Sequence, residues 1–343
     1  MAKSEFRKYV DQAQELPDDV VLGNIVWHTV NDGAYSLTDI EKAFDDLGLN
    51  PSFVPRPTTE FNAFEKACTL ALRATKPYEL ARGKVDGQMV TTEVGEIMAI
   101  RESHKDSEQV IRQVVREVRD HQKKRLRYEV VAELILMRAV ADSNGKVRRG
   151  SHRLRATVLV DNLHRNEKAQ VESVIDRWEA EFNRLYEFLD GDKVRAVVRN
   201  YLGYLNAVMM KDGVYFVHKN REDELLRLQT FVGTTLANGC AISMFPIPEL
   251  KRLREEVVEA YQDEAVKELN EVVAAISKVR STRQSITPAA LAKLTEQYQN
   301  VMRKANEYTR TLRCTQDRTA GAAEVALESL DALRADMRAQ MEA

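Results

Sequence analysis

Arginine and lysine are the residues whose spacing in this sequence could do chemistry. From Gln109 to Arg155 there are 13 of them, Arg112, Arg116, Arg119, Lys123, Lys124, Arg125, Arg127, Arg138, Lys146, Arg148, Arg149, Arg153 and Arg155. Five acids stand against them, giving +8 in 47 residues, while the whole chain of 343 residues has a net charge of -2. The remainder therefore sums to -10. Such a block suits contact with a polyanion, or pairing with acidic surface elsewhere in the same chain. Within it, Arg125, Arg127, Arg148, Arg149, Arg153 and Arg155 are the candidate nucleic-acid contacts, and Tyr128 is the nearby aromatic. Lys193, Arg195 and Arg199 join them, because their predicted helix runs directly into a β-hairpin, the order of a recognition helix and its wing.

Other chemistries find little support. The histidines His28, His104, His121, His152, His164 and His218 never fall at the i, i+2 or i, i+4 spacing that puts two metal ligands on one face. Cys68, Cys240 and Cys314 form no C-x-x-C pair and read as reduced, mostly buried thiols. Asp190-Gly191-Asp192 is explained as the stop of one helix and the cap of the next. Glu249-Leu250-Lys251 matches the E-x-K fragment of many nucleases but falls at a helix start, not on a core strand. No phosphate-cradling, dinucleotide, zinc-protease or hydrolase-elbow motif is found. No catalytic residue, cofactor or metal ligand is assigned.

The elements that would position these residues follow from periodicity. A composition of 44% hydrophobic and 30% charged residues is that of a helix-rich globular chain of two or three domains. The N-terminal run MAKSEFRKYVDQAQEL has no signal-peptide core, and no stretch approaches the roughly 20 apolar residues of a membrane span, so a cytoplasmic location is expected. The fold class is α+β, in four modules: 1–80, 81–163, 164–247 and 248–343.

In the first module a short amphipathic helix precedes a strand over Val20–Val30. A helix over Leu37–Leu47 begins after Ser36, and another follows Thr58 or Thr59. Trp27, Phe44, Phe61 and Phe64 are expected to share one small core. The second module alternates with period 2 and predicts an antiparallel meander of three or four strands, with Asp142-Ser143-Asn144-Gly145 as a turn. Alternation puts Arg125 with Arg127, and Arg153 with Arg155, on the face opposite the apolar one. Val110–Val118 fits strand or helix. The third module comprises a helix over Arg165–Leu189, a helix over Lys193–Leu205, a hairpin turning at Lys211-Asp212-Gly213, a helix over Glu222–Val232, and a strand ended by Pro246 and Pro248.

From Pro248 onward the chain reads as three helices. The first is a mixed-charge arm of about 35 residues, roughly 50 Å long. After a break at Ser281–Thr287, where Thr287-Pro288 restarts the helix, Leu291, Leu294, Tyr298, Val301, Ala305, Tyr308 and Leu312 form a near-heptad. That second helix is basic and the third is acidic, so the two can pair with each other, and the long first helix is the segment for an outside partner or a second copy.

The run LGNIVWHTVNDGAYSLTDIEKAFDDLGLN with PRPTTEFNAFEKA, the segment RQVVREVRDHQKKRLRYEVVAELIL and DGVYFVH together resemble an uncharacterised family of actinobacterial and actinobacteriophage proteins, over about the first 250 residues. The resemblance implies a bacterial or phage protein and brings no activity or site residues. The expected function is a non-enzymatic interaction protein. It self-associates or binds a protein partner through its C-terminal helices, with DNA or RNA on its basic middle region and no membrane contact. The alternative is an enzyme acting on nucleic acid or nucleotides through an unrecognised site.

Overall fold

The computed structural model describes residues 20–73, 75–85, 88–120, 122–138, 152–160, 163, 165–281, 287–315 and 317–342. The elements run β1 (Val21–Thr29), β2 (Ala34–Ser36), α1 (Leu37–Asp46), α2 (Glu60–Leu72), β3 (Tyr78–Val85), β4 (Gln88–Lys105), β5 (Gln109–Asp120), β6 (Arg125–Met137) and β7 (Arg153–Val158). They continue with α3 (Arg165–Glu187), β8 (Phe188–Asp190), α4 (Gly191–Tyr204), β9 (Val208–Lys211), β10 (Val214–His218), α5 (Glu222–Thr230), β11 (Ala241–Pro248), α6 (Lys251–Ser281), α7 (Pro288–Leu312) and α8 (Asp317–Glu342). The fold is α+β. The N-terminal amphipathic helix and the Asp142–Gly145 turn expected from sequence lie outside the described residues.

Side-chain caps start the helices where the sequence placed them. Ser36 Oγ accepts from the Asp39 amide at 3.2 Å, Thr59 Oγ1 from Asn62 at 3.3 Å, and Thr287 Oγ1 from Ala290 at 3.2 Å.

By internal packing the chain forms two units. One comprises the described residues up to Asp32, Ile40–Val54 and those from Gly191 onward; the other comprises Gly33–Asp39 and Pro55–Asp190. In the first, an antiparallel sheet has the order β11-β1-β10-β9. β1 is central because its β-branched run fits a strand packed on both faces. At Gly23 an added Cβ would strike the Val217 carbonyl and come 2.7 Å from the Phe216 ring, so glycine lets the two strands close. β11 continues through Pro246 to Pro248 rather than ending before them. It is an edge strand, where a missing amide costs no ladder bond.

On one face of this sheet Asn24 donates to Glu222 of α5 at 3.2 Å. Phe44 of α1 meets Phe231 edge-on at 5.0 Å and Tyr201 of α4 at 6.1 Å. Ile25 and Phe216 belong instead to the core formed with α6, α7 and α8. The apolar stripe of α6 (Val257, Tyr261, Ala265, Leu269, Val272, Ile276) is buried inside the unit, so the long helix is a packed member and not a free arm. Tyr261 stacks on Tyr308 of α7 at 4.7 Å. Ion pairs run from α6 to both neighbours: Glu264 with Lys304 at 3.2 Å, Asp263 with Arg318 at 2.7 Å, and Arg280 with Asp336 at 2.7 Å. One of these pairs also seals the β9 edge. Lys304 Nζ donates to the Ala207 carbonyl at 2.7 Å, and Glu264 accepts from the Met209 amide at 3.2 Å. Both open-edge backbone groups are thereby satisfied.

The second unit is a five-stranded antiparallel meander, β3-β4-β5-β6-β7, one strand more than the upper expectation. The ambiguous segment over Val110–Val118 is its central strand, β5, with Val114 and Val115 both buried. α2 and α3 pack on one face over a core that includes Ile97, Val110, Val114, Ala132, Leu134 and Leu136, with Phe64 edge-on to Trp178 at 5.6 Å. A short ladder joins β2 and β8, so the helix expected to reach Leu189 stops at Glu187. The single core expected for Trp27, Phe44, Phe61 and Phe64 is not formed. Phe61 and Phe64 belong to the meander core, while Phe44 packs with Tyr201 and Phe231, because α2 lies on the meander and α1 belongs largely to the other unit.

Candidate nucleic-acid interface

The two faces of the meander differ in what they do with arginine. On β5, Arg112 reaches Glu65 of α2, with Nε to Oε1 at 2.9 Å, and Glu102 at 3.2 Å. Arg116, two pleats on, pairs with Glu167 of α3 and with Glu129 at 3.1 Å, and Tyr78 donates to Glu167 at 3.2 Å. Even-numbered β5 residues therefore face the helices. Arg116 and Glu167 are 5% and 3% exposed, a paired charge in the core and not a surface for ligands.

Odd-numbered β5 residues face away from the helices. There Glu117 holds two guanidiniums, Arg119 at 2.7 Å and Arg125 at 3.0 Å. The hydrogen bonds from Arg119 and then Arg125 keep its carboxyl below the usual range. Opposite Glu117 in the β6 register is Tyr128. Its ring centroid lies 5.0 Å from the Arg101 guanidinium carbon and 5.1 Å from that of Arg125, and the residue is 38% exposed. Gln113 donates to Glu133 at 3.0 Å on the same face. At the β7 end, Arg155 lies opposite Ile135 and Arg153 opposite Met137, both arginines exposed.

Of the cations singled out in the sequence, Arg125, Arg153 and Arg155 come to this open face. Arg127 does not. The ladder shifts between Val118 and Arg119, pairing Val118 with Arg127 and Arg119 with Arg125, so Leu126 is an extra residue. A second extra residue, Val131, between the Val114–Ala132 and Val115–Val130 pairs, puts Arg127 on the helix side, where it binds Glu93 at 3.3 Å, and the Leu126 bulge returns Arg125 to the open face. Arg148 and Arg149 lie outside the described residues.

Lys193, Arg195 and Arg199 sit on α4, in the other unit, so the structure does not gather the candidates into one described site. Lys193 and Arg199 are exposed. Arg195 is occupied by its own chain. It donates to the Val30 carbonyl at 2.8 Å, to Asp32 at 2.9 Å and to Asp192 at 2.6 Å, and the Asp192 carboxyl is held below its usual range by that bond. His28 is held below the ordinary histidine range by burial and then by the nearby charge of Arg199. The hairpin that follows α4 is no projecting wing, since β10 pairs with β1 along its length.

Sequence reasoning missed Arg101 and passed over Arg119. Arg101 could have been found by carrying the alternation one residue past Ile100: Ile100 packs on the core, so its neighbour points the other way.

Among the described residues no group of three His, Cys, Asp or Glu side chains is placed to hold a metal ion, and no helix is long and apolar enough to cross a membrane. Fold and site together define an α+β protein with an arginine-lined open sheet face. The chain belongs to a family of unknown function (DUF6744), matched over residues 21–339. No curated protein and no solved structure matches it.

Proposed function

We propose that this protein is a non-enzymatic nucleic-acid-binding protein, with the open face of the meander as its contact surface. The observation that supports the reading is Tyr128, exposed and flanked at 5.0 and 5.1 Å by the guanidiniums of Arg101 and Arg125, on a sheet face that no described helix of its unit covers. Arginines placed this way neutralise phosphates and release counterions. The resemblance of the N-terminal run supports a bacterial or phage setting.

Five arginines (Arg101, Arg119, Arg125, Arg153, Arg155) share the face, and Glu117, Glu133 and Glu96, which lies opposite Glu117 in the ladder, offset three charges. About two phosphates neutralised gives a slope near -1.5 in log affinity against log salt, so raising salt from about 50 to about 200 mM weakens binding about 8-fold. Fluorescence anisotropy of labelled DNA and RNA measures this. The Arg101→Glu, Arg125→Glu double variant is expected to abolish retention at low salt. Salt-independent binding, or binding unchanged in the double variant, would sink the reading.

A second reading, self-association, rests on Val325 and Leu327 of α8, which are 52% and 42% exposed. Light scattering of the full chain and of a Val325→Glu, Leu327→Glu variant tests it. Equal mass for the two excludes this surface as the contact.

A further inference from the structure

We infer that the ligand of the open face is single-stranded nucleic acid, read through stacking at Tyr128. The inference rests on the nucleic-acid reading above and narrows it to unpaired bases.

Three observations carry it. First, an exposed ring with two guanidinium carbons over it at 5.0 and 5.1 Å forms a ring-and-guanidinium platform, and only an unpaired base has a free face to lay on it. In a duplex each base is already stacked on its neighbours. Second, a duplex is read by an element that enters a groove, a helix or a two-stranded ribbon. The open face consists of strands lying side by side in a five-stranded sheet, with nothing described on it that projects. The α4 arrangement that looks like a groove reader has its central cation, Arg195, bound to Val30, Asp32 and Asp192.

Third, the cations follow a path rather than a cluster. Arg155 lies opposite Ile135, ten residues along β6 from Arg125. At about 3.3 Å per residue that is about 30 Å, a length suited to an extended strand of several nucleotides. Between the two ends, Gln113 and Glu133 present an amide and a carboxylate that can meet base edges. Glu117, at the Arg119–Arg125 end, and Glu133, two residues from Ile135, also bring negative charge between the two ends, which favours bases there and phosphates at the arginines.

The test uses the full chain and three probes at one low ionic strength: a labelled thymidine or uridine homopolymer of about 20 nucleotides, a duplex of the same length, and heparin, a polyanion without bases. Tyr128→Ala is expected to weaken the homopolymer at least about 5-fold, the lower end of one lost base stack, and to change heparin less than about 2-fold. Tyr128→Trp keeps a stacking surface and should hold the homopolymer near wild type, which separates stacking from a folding defect. If Tyr128→Ala weakens all three probes alike, or leaves the homopolymer untouched, the single-strand inference falls and the nucleic-acid reading stands. If the unmodified chain retains none of the probes at low salt, the reading itself falls.

Discussion

Glu167→Gln is the substitution whose cost follows most directly from the packing. Arg116 and Glu167 are 5% and 3% exposed beneath α3, and Tyr78 donates to the same carboxylate. Gln keeps the shape and removes the charge, leaving a buried guanidinium whose remaining counter-ion is Glu129 at 3.1 Å, itself 38% exposed in its side chain. Breaking a buried pair from one side costs about 3–5 kcal/mol, and the partial compensation by Glu129 puts the expectation near the lower end, about 3 kcal/mol. Removing both charges, as Arg116→Met with Glu167→Gln, should bring stability back to within about 1 kcal/mol of the original chain, since neither charge is then left unpaired and Tyr78 keeps an acceptor. Urea unfolding followed by Trp178 fluorescence measures this. Trp178 is buried in the meander core and the chain's other tryptophan is Trp27, so a Trp27→Phe background isolates the signal. A loss below about 1 kcal/mol for Glu167→Gln, or a double variant as unstable as the single one, would refute the argument.

Other consequences are as open to measurement. Burial pushes the Cys68 thiol up to about 12 from 9.0, so the folded unit holds this proton more tightly than the unfolded chain does. Its contribution is therefore complete below about pH 9 and is lost as pH rises toward about 12; the urea midpoint of the original chain should fall more steeply over that window than that of Cys68→Ala. Lys304→Ala strips the donor from the Ala207 carbonyl and the counter-ion from Glu264, and should cost about 1–3 kcal/mol in the unit reported by Trp27. No change in that transition would mean that the edge needs no seal.

Local signals were legible where one residue type forces one geometry. The oxygens of Ser36, Thr59 and Thr287 marked helix starts, and the Asp212-Gly213 turn and its flanking β runs marked the hairpin. β3 was missed because its sequence, YELARGKV, has no clean alternation; a sheet edge tolerates that. The fate of Arg127 was invisible for a sharper reason. One extra residue at Val131 puts the strand positions on its two sides out of phase, so that alternation counted through it from Ala132 assigns the wrong face to Arg127 and Tyr128, and nothing in the local sequence announces a bulge. The +8 block overstated the available charge in the same way, since Arg112 and Arg116 are matched by Glu65 and Glu167 from helices on either side of it in the sequence. Long-range pairing of that kind depends on register across the fold, which periodicity within a segment does not encode.

The central place of β1 has a consequence for biosynthesis. Its ladder partners begin at Val214 and Ala241, so on the ribosome the run Val21–Thr29 must wait for some 185 residues to follow it before either neighbour exists. At about 5–20 residues per second that delay is about 10–40 seconds. The meander, whose strands are consecutive in the sequence, can complete its ladder during that wait. A β-branched, nearly uncharged segment left single for that long is a target for holdase chaperones and for nascent-chain aggregation, and the yield of this protein on overexpression should be limited by its first strand.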